Sequence, residues 1–199
     1  MRIIRDTRFI DDSDRGAAAA IGNFDGVHIG HQAVIDIARA AAKTAGAPLG
    51  IMTFEPHPRS YFARDSKPFR LMNAEARAHQ LEKLGVEKLY EVPFNAALAS
   101  LTPREFAQDI IHDQLGLKHV IVGADFCFGK DRAGTAADLQ VFGKEMGFGV
   151  TIVSMVAIDA ARVSSTAIRQ ALTDGRPRDA AAMLGHWHRI EGKVIKGDQ

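Results

Sequence analysis

Two histidines three residues apart, His28 and His31, close the run Gly22-Asn23-Phe24-Asp25-Gly26-Val27-His28-Ile29-Gly30-His31. On a helix that spacing puts both imidazoles on one face, and an imidazole can donate hydrogen bonds to phosphate oxygens as they gain charge. Gly30 keeps the space between them open, and Gly22 and Gly26 let the backbone turn tightly and come close to a ligand. Asn23 and Asp25 add polar groups where a strand should end, the rim at which open α/β sheets bind ligands. The opening turn of the following helix would present unpaired N–H groups and the positive end of its dipole to an anion. The run reads as a nucleotide-phosphate site with room for a triphosphate. Taken alone it is equally compatible with a glycine-rich turn carrying two surface histidines.

Three further stretches hold chemistry-bearing residues. Phe54-Glu55-Pro56-His57-Pro58 follows an apolar run, and its prolines fix an irregular loop at the sheet rim; Tyr61 and Phe62 come just after. That loop suits a substrate wall, or is simply a rigid turn with Phe62 in the core. Gly123 to Thr135 is dense in glycine, charge and phenylalanine. It is not a Walker A loop, because Gly123 stands too far from Gly129-Lys130 and Asp131 replaces the magnesium-binding hydroxyl. Val163-Ser164-Ser165-Thr166-Ala167-Ile168-Arg169 places three hydroxyls at a helix start and an arginine one turn in, an anion cradle or a set of N-caps.

The elements that must position these residues alternate. Ala17–Ile21, Leu49–Phe54, Lys88–Phe94, His119–Gly123 and Gly149–Val153 read as buried strands, and helical spacing fills the intervals, the pattern of βαβ units with a parallel sheet. Asn73 and Thr102 are expected N-caps, the latter with Glu105 in a capping box, and Ser164 or Ser165 caps a helix reaching about Leu172. Pro177–Leu184 is a last short helix. From His186 the pattern changes: Trp187 to Ile195 alternates like a strand of an antiparallel sheet.

With 199 residues, 46% apolar and 25% charged, the chain has the make-up of one full-size globular domain. Its formal charge of +1 makes no case for a strongly basic nucleic-acid surface or an acidic tail. No apolar run approaches a membrane span. A single cysteine, Cys127, excludes an internal disulfide, and a reducing cytoplasm is the default. His186 and His188 flank Trp187 without a third ligand, and no zinc pattern is present; the metal ligands, if any, are unknown.

His28-Ile29-Gly30-His31 resembles the H-x-G-H signature of the adenylyl/cytidylyltransferase superfamily, and the longer Gly-Asn-Phe-Asp-Gly-Val-His run resembles its prokaryotic FAD synthetase branch. The other stretches agree: F-x-P-H-P, G-x-D-F-x-F-G-x-x-R-x-G, and I-S-S-T-x-x-R with Val163 in place of isoleucine. The resemblance spans residues 17 to 185 or so. It implies a Rossmann-like three-layer α/β/α sandwich with a parallel central sheet, the nucleotidyltransferase fold, and transfer of the adenylyl group of ATP to FMN, giving FAD and pyrophosphate by in-line attack without a covalent intermediate.

By the same resemblance His28, His31, Ser164, Thr166 and Arg169 are expected to carry the reaction, with Mg²⁺ bridging the β and γ phosphates. Gly22, Asn23, Phe24, Asp25, Gly30, Asp125 and Ser165 are expected to bind ATP, and His57, Pro58, Phe62, Phe126, Phe128 and Arg132 the flavin. Residues 1–185 would form the adenylyltransferase domain and 186–199 the start of a truncated second one, the riboflavin kinase barrel that usually follows. Partners would be ATP and FMN, with neither nucleic acid nor membrane. A transferase of this fold with another phosphorylated acceptor, or a non-catalytic nucleotide-binding module, are the alternatives. The reading fails if His28, Asp125 and Arg169 stand on unrelated sides of the molecule with no shared pocket between them.

Overall fold

Ala18–Ile21 carries almost no side-chain bulk and is buried throughout, which is what a strand covered by helices on both faces allows. In the computed structural model, which describes residues 1–63, 69–154 and 163–192, this strand, β2, lies at the middle of a six-stranded sheet. The others are β1 (Arg2–Ile4), β3 (Leu49–Glu55), β4 (Lys88–Pro93), β5 (His119–Gly123) and β8 (Gly149–Val153). Their order is β1-β4-β3-β2-β5-β8 and every pairing is parallel. A two-stranded antiparallel ribbon, β6 (Cys127–Phe128) and β7 (Gly134–Thr135), projects after β5.

Because successive strand residues point to opposite faces, the sheet has two cores. Ala17, Ala19, Ile21, Met52, Phe54, Tyr90, Val92, Val120 and Val122 pack on one side. There they meet Phe106, Ile110 and Ile111 of a helix that begins as α5 (Pro103–Glu105) and continues as a π-helix (Phe106–Gln114), and Leu139 of α6 (Ala136–Met146). Ala18, Ala20, Ile51, Leu89 and Ile121 pack on the other face, against Ile35, Ala38 and Ala42 of α1 (Ile29–Ala45) and Ala78 and Leu81 of α3 (Ala74–Lys83). Neighbouring strands crowd each other on the first face: a Cβ on Gly50 would sit 3.0 Å from that of Ala17 and 3.1 Å from that of Ala19. Short helices α2 (Pro58–Phe62) and α4 (Ala96–Ser100) follow β3 and β4, and α7 (Ser165–Thr173) and α8 (Pro177–Leu184) pair around Ile168, Ala171, Ala180 and Leu184.

The expected strands and helices form with their caps as read. The Asn73 side chain accepts from Ala76 N–H, Thr102 and Glu105 make a capping box, and Ser164 caps α7. Three features differ. β1 is a strand although its segment reads as polar, because an edge strand leaves two of its three residues exposed. The loop expected at 54–58 turns into α2, with His57 as its N-cap and a cis Glu55–Pro56 bond before it. Residues 187–192, expected to be strand, form none; the rest of that expected strand lies outside the described residues.

Candidate active site

The chain runs β2, β3, β4 toward one edge and then crosses to β5 on the other side of β2. The carboxyl ends of β2 and β5 therefore flank a topological switch point, where a crevice must open. A cavity of about 1000 Å³ lies there, bounded by residues after β2, β3, β5 and before α7, at the upper end of the size range for small-molecule sites.

His28 ends the loop after β2 and caps α1. Its Nδ1 accepts from the His31 backbone N–H at 3.3 Å. A backbone N–H only donates, so Nδ1 carries no proton and neutral His28 holds its proton on Nε2. The ring is 7% exposed and stacks on His31 at 3.6 Å with 16° between planes. Burial, with Arg169 nearby, outweighs the pull of Asp25 and lowers the His28 pKa to about 4. Burial and the His28 ring push His31 well below the ordinary histidine value. Both imidazoles are thus neutral at physiological pH. The Nδ1 of His31 is buried with no hydrogen-bond partner among the described residues. A Cβ on Gly30 would lie 3.2 Å from His28 Nδ1, a tight contact that the imidazole would have to shift to relieve.

The loop from Gly22 to Val27 is conformationally costly. Phe24, Gly26 and Val27 all have positive φ, +50°, +89° and +42°, and for β-branched Val27 this is a strained geometry. Side chains from other elements hold its carbonyls. Thr53 Oγ1 donates to Asn23 O at 3.3 Å, Ser165 Oγ to Asp25 O at 2.9 Å, and Gln32 Nε2 to Val27 O at 2.9 Å. Arg77 reaches Asn23 O at 3.5 Å from beneath. This arginine is 1% exposed and pairs with Glu91 at 3.0 Å and Glu55 at 3.2 Å, while Glu55 also takes Arg70 at 2.7 Å.

The structure brings most of the expected residues onto the cavity wall: Gly22, Asn23, Phe24, His28, Gly30, His31, His57, Pro58, Phe62, Asp125, Phe126, Phe128, Arg132, Ser164, Ser165 and Thr166. Two are corrected. Asp25 does not line the cavity: it is buried, and its carboxylate accepts from Leu71 N–H at 2.9 Å, Met72 N–H at 3.3 Å and Arg169 Nη2 at 2.6 Å. Arg169 is likewise spent behind the wall, its Nε donating to Phe69 O at 2.6 Å. A buried carboxylate needs such a partner, and so the pair works as a latch between α7 and the segment at 69–72. Arg169 remains close enough to His28 to act on its charge. Ser164 and Ser165 also have local duties, Ser164 capping Ala167 N–H at 3.1 Å, whereas Thr166 is exposed on the wall.

The apolar half of the cavity is built from aromatics. Phe62 is 71% exposed and stands edge-on to Phe94 at 5.7 Å. Phe126 stacks at 5.4 Å on Phe128, which is itself core, buried against Phe106. His57, whose Nδ1 accepts from Arg59 N–H at 3.0 Å, is lowered to about 4 by burial. The ribbon leans on Pro103 so closely that a Cβ on Gly129 would sit 2.7 Å from Pro103 N. At its tip Asp131 and Arg132 both take positive φ, and Arg132 faces the cavity. Sequence reasoning missed Arg59, Phe94 and Arg77. The signal for Phe94 was its place just past a strand's carboxyl end; that for Arg77 was a cation on the buried face of α3 beside Ala78 and Leu81.

Among the described residues no three His, Cys, Asp or Glu side chains cluster as metal ligands, and no helix is long and apolar enough to cross a membrane.

A parallel sheet with a cavity of about 1000 Å³ at its switch point, and with two neutral histidines at a helix start and three hydroxyls on the wall of that cavity, defines an α/β protein of the nucleotidyltransferase-like fold. Residues 10–167 match the FAD synthetase family, and the chain belongs to it. It is 40% identical over 199 residues to a bifunctional riboflavin kinase/FMN adenylyltransferase of Pseudomonas fluorescens and 36% identical over 200 residues to that of Escherichia coli K12, in both cases across 100% of this chain and 64% of the relative. The Bacillus subtilis protein of the same name is 38% identical over 96% of this chain and 60% of its own length. This chain thus spans under two thirds of these relatives. A crystal structure described as a macrolide-efflux protein from Streptococcus pneumoniae shares the fold, with a TM-score of 0.79 and 31% identity over 94% of this chain and 62% of that one.

Proposed function

We propose that this chain transfers the adenylyl group of ATP to FMN, releasing FAD and pyrophosphate. The observation that carries this reading is one cavity with two unlike halves: a polar end with His28, His31 and Thr166, and an aromatic end with Phe62, Phe94 and Phe126. A triphosphate suits the first, and a flat ring system suits the second through stacking.

In the reaction an oxygen of the FMN 5′-phosphate attacks the α-phosphorus of ATP in line. The new O–P bond forms as the bond from the α-phosphorus to the bridging oxygen of pyrophosphate breaks, and the electron pair leaves on pyrophosphate. No protein atom is bonded to phosphorus on the way, so catalysis rests on positioning and on donors aimed at developing charge. His28 can act as such a donor, because its Nδ1 is held by the His31 N–H, which leaves the Nε2–H to donate without any change of protonation. His31, Ser164 and Thr166 sit beside it, and Asn23, Gly22 and Asp125 bound the nucleotide. Arg169 and Asp25 act through the loop they latch. Mg²⁺ would enter as the magnesium complex of ATP, since the donor groups among the described residues provide no cage for a resident ion.

Residues 1–185 form the adenylyltransferase unit in this reading; riboflavin kinase activity would belong to the part of the bifunctional relatives that this chain does not span, and the reaction would run in the cytoplasm. Incubation of the chain with ATP, magnesium and FMN, with FAD followed by mass spectrometry and pyrophosphate by a coupled assay, tests it. FAD should appear with equimolar pyrophosphate. Absence of FAD overturns the proposal, and formation of FMN from riboflavin overturns the division of labour.

A further inference from the structure

The segment after α8 is bonded to the strained loop that carries the histidines. It leaves the helix through Gly185, at φ +74°, so near α1 that a Cβ there would lie 2.8 Å from Ile29 Cγ2. Beyond it, His186, His188 and Glu191 turn inward. His186 Nε2 lies 3.1 Å from Gly26 O and its Nδ1 2.9 Å from Trp187 O. His188 Nε2 lies 3.0 Å from Leu71 O. Glu191 O accepts from Asn73 Nδ2 at 2.9 Å, and its carboxylate meets His79 Nδ1 at 3.0 Å. Trp187, Arg189 and Ile190 face outward, Trp187 68% exposed.

The two receiving carbonyls are not arbitrary. Of the carbonyls from Asn23 to Val27, Thr53, Arg77, Ser165 and Gln32 hold three and the Val27 N–H takes Phe24 O, which leaves Gly26 O to His186. Leu71 is the residue whose N–H binds Asp25. A carbonyl can only accept, so His188 donates through Nε2, and His186, which faces carbonyls with both ring nitrogens, donates to Gly26 O in the tautomer that carries its proton on Nε2. We propose that residues 186–191 are a strap that completes the nucleotide site, with His186 a positioning residue that fixes Gly26 and through it the start of α1 and His28. The family match ends at residue 167, so the strap lies outside it. The functional half of this inference rests on the proposed adenylyl transfer; the structural half does not.

The test uses the whole chain with three substitutions. His186→Gln keeps an amide donor near the Nε2 position. His186→Asn keeps one only near Nδ1, and His186→Met keeps none. Backbone hydrogen exchange of residues 22–28 and kcat/KM for ATP are measured in each. Loss of one hydrogen bond of ordinary strength should speed exchange in this loop about fivefold and lower kcat/KM about fivefold in the Met and Asn variants, and the Gln variant should return both to within about twofold of wild type. Two variants without the Gly26 donor keep the comparison open if one does not fold. Exchange unchanged in Met and Asn, or equal changes in Gln, Asn and Met, overturns the strap. Altered exchange with unchanged kcat/KM overturns His186 as a positioning residue. A wild-type chain that forms no FAD fails the functional reading alone, because exchange still decides the strap.

Discussion

Replacing His28 by asparagine should separate two jobs that one ring performs. The ring caps α1 by accepting the His31 N–H at 3.3 Å, and in the proposed reaction it offers Nε2–H to the triphosphate. Asparagine is among the best N-cap residues, whereas alanine forfeits about 1 kcal/mol of capping. The ring lies on the cavity wall, so its removal enlarges an existing space and creates no closed void. His28→Asn should therefore melt within about 3 °C of wild type, and His28→Ala should lose about 2–4 °C more, the shift expected for about 1 kcal/mol in a domain of this size. Neither carries the Nε2–H donor, and loss of one preorganised donor at a developing oxyanion costs a factor of about 10²–10³ in kcat. FAD formation and thermal unfolding of the three proteins check both parts. An asparagine variant retaining more than a fifth of wild-type kcat would refute the donor role. An asparagine variant as unstable as the alanine one would refute the cap.

Three further outcomes are expected. The His28 and His57 imidazoles, both lowered to about 4 by burial, should show NMR titration midpoints near that pH. Between about pH 4 and 6.5 the unfolded chain binds protons that the folded one does not, so stability should rise with pH across this window by about 3 kcal/mol per histidine and be lost below it; urea midpoints at pH 4.5 and 7 would show no difference if the sites were solvated. Arg77→Met leaves Glu91 buried without that partner and should cost about 3–5 kcal/mol in chemical denaturation, with part of the loss returned by adding Glu91→Gln. Phe62→Ala, at a side chain 71% exposed, should leave the melting temperature unchanged and raise KM for FMN about tenfold if its ring stacks on the flavin; an unchanged KM would remove Phe62 from the acceptor site.

The residues facing the cavity were legible because three of the motifs follow strands and the fourth opens a helix, and local rules govern both kinds of end. His28 at a helix start, Thr102 with Glu105, and Ser164 were readable as caps from spacing alone. The pairing of Asp25 with Arg169 was hidden for a physical reason. Sequence shows that a carboxylate and a guanidinium belong to the site region, but their separation of 144 positions hides that they face each other at 2.6 Å.

What the chain alone determined was period and punctuation: small apolar residues at β2 that tolerate helices on both faces, glycines where a Cβ would crowd His28 or strike Pro103, and hydroxyls where helices begin. What only the folded molecule decided was partnership across distance. Burial emptied His28 and His31 of charge, set Arg77 beneath Asn23, joined Asp25 to Arg169, and brought His186 to Gly26. Such effects depend on which surfaces exclude water together, a property that no local stretch of sequence possesses.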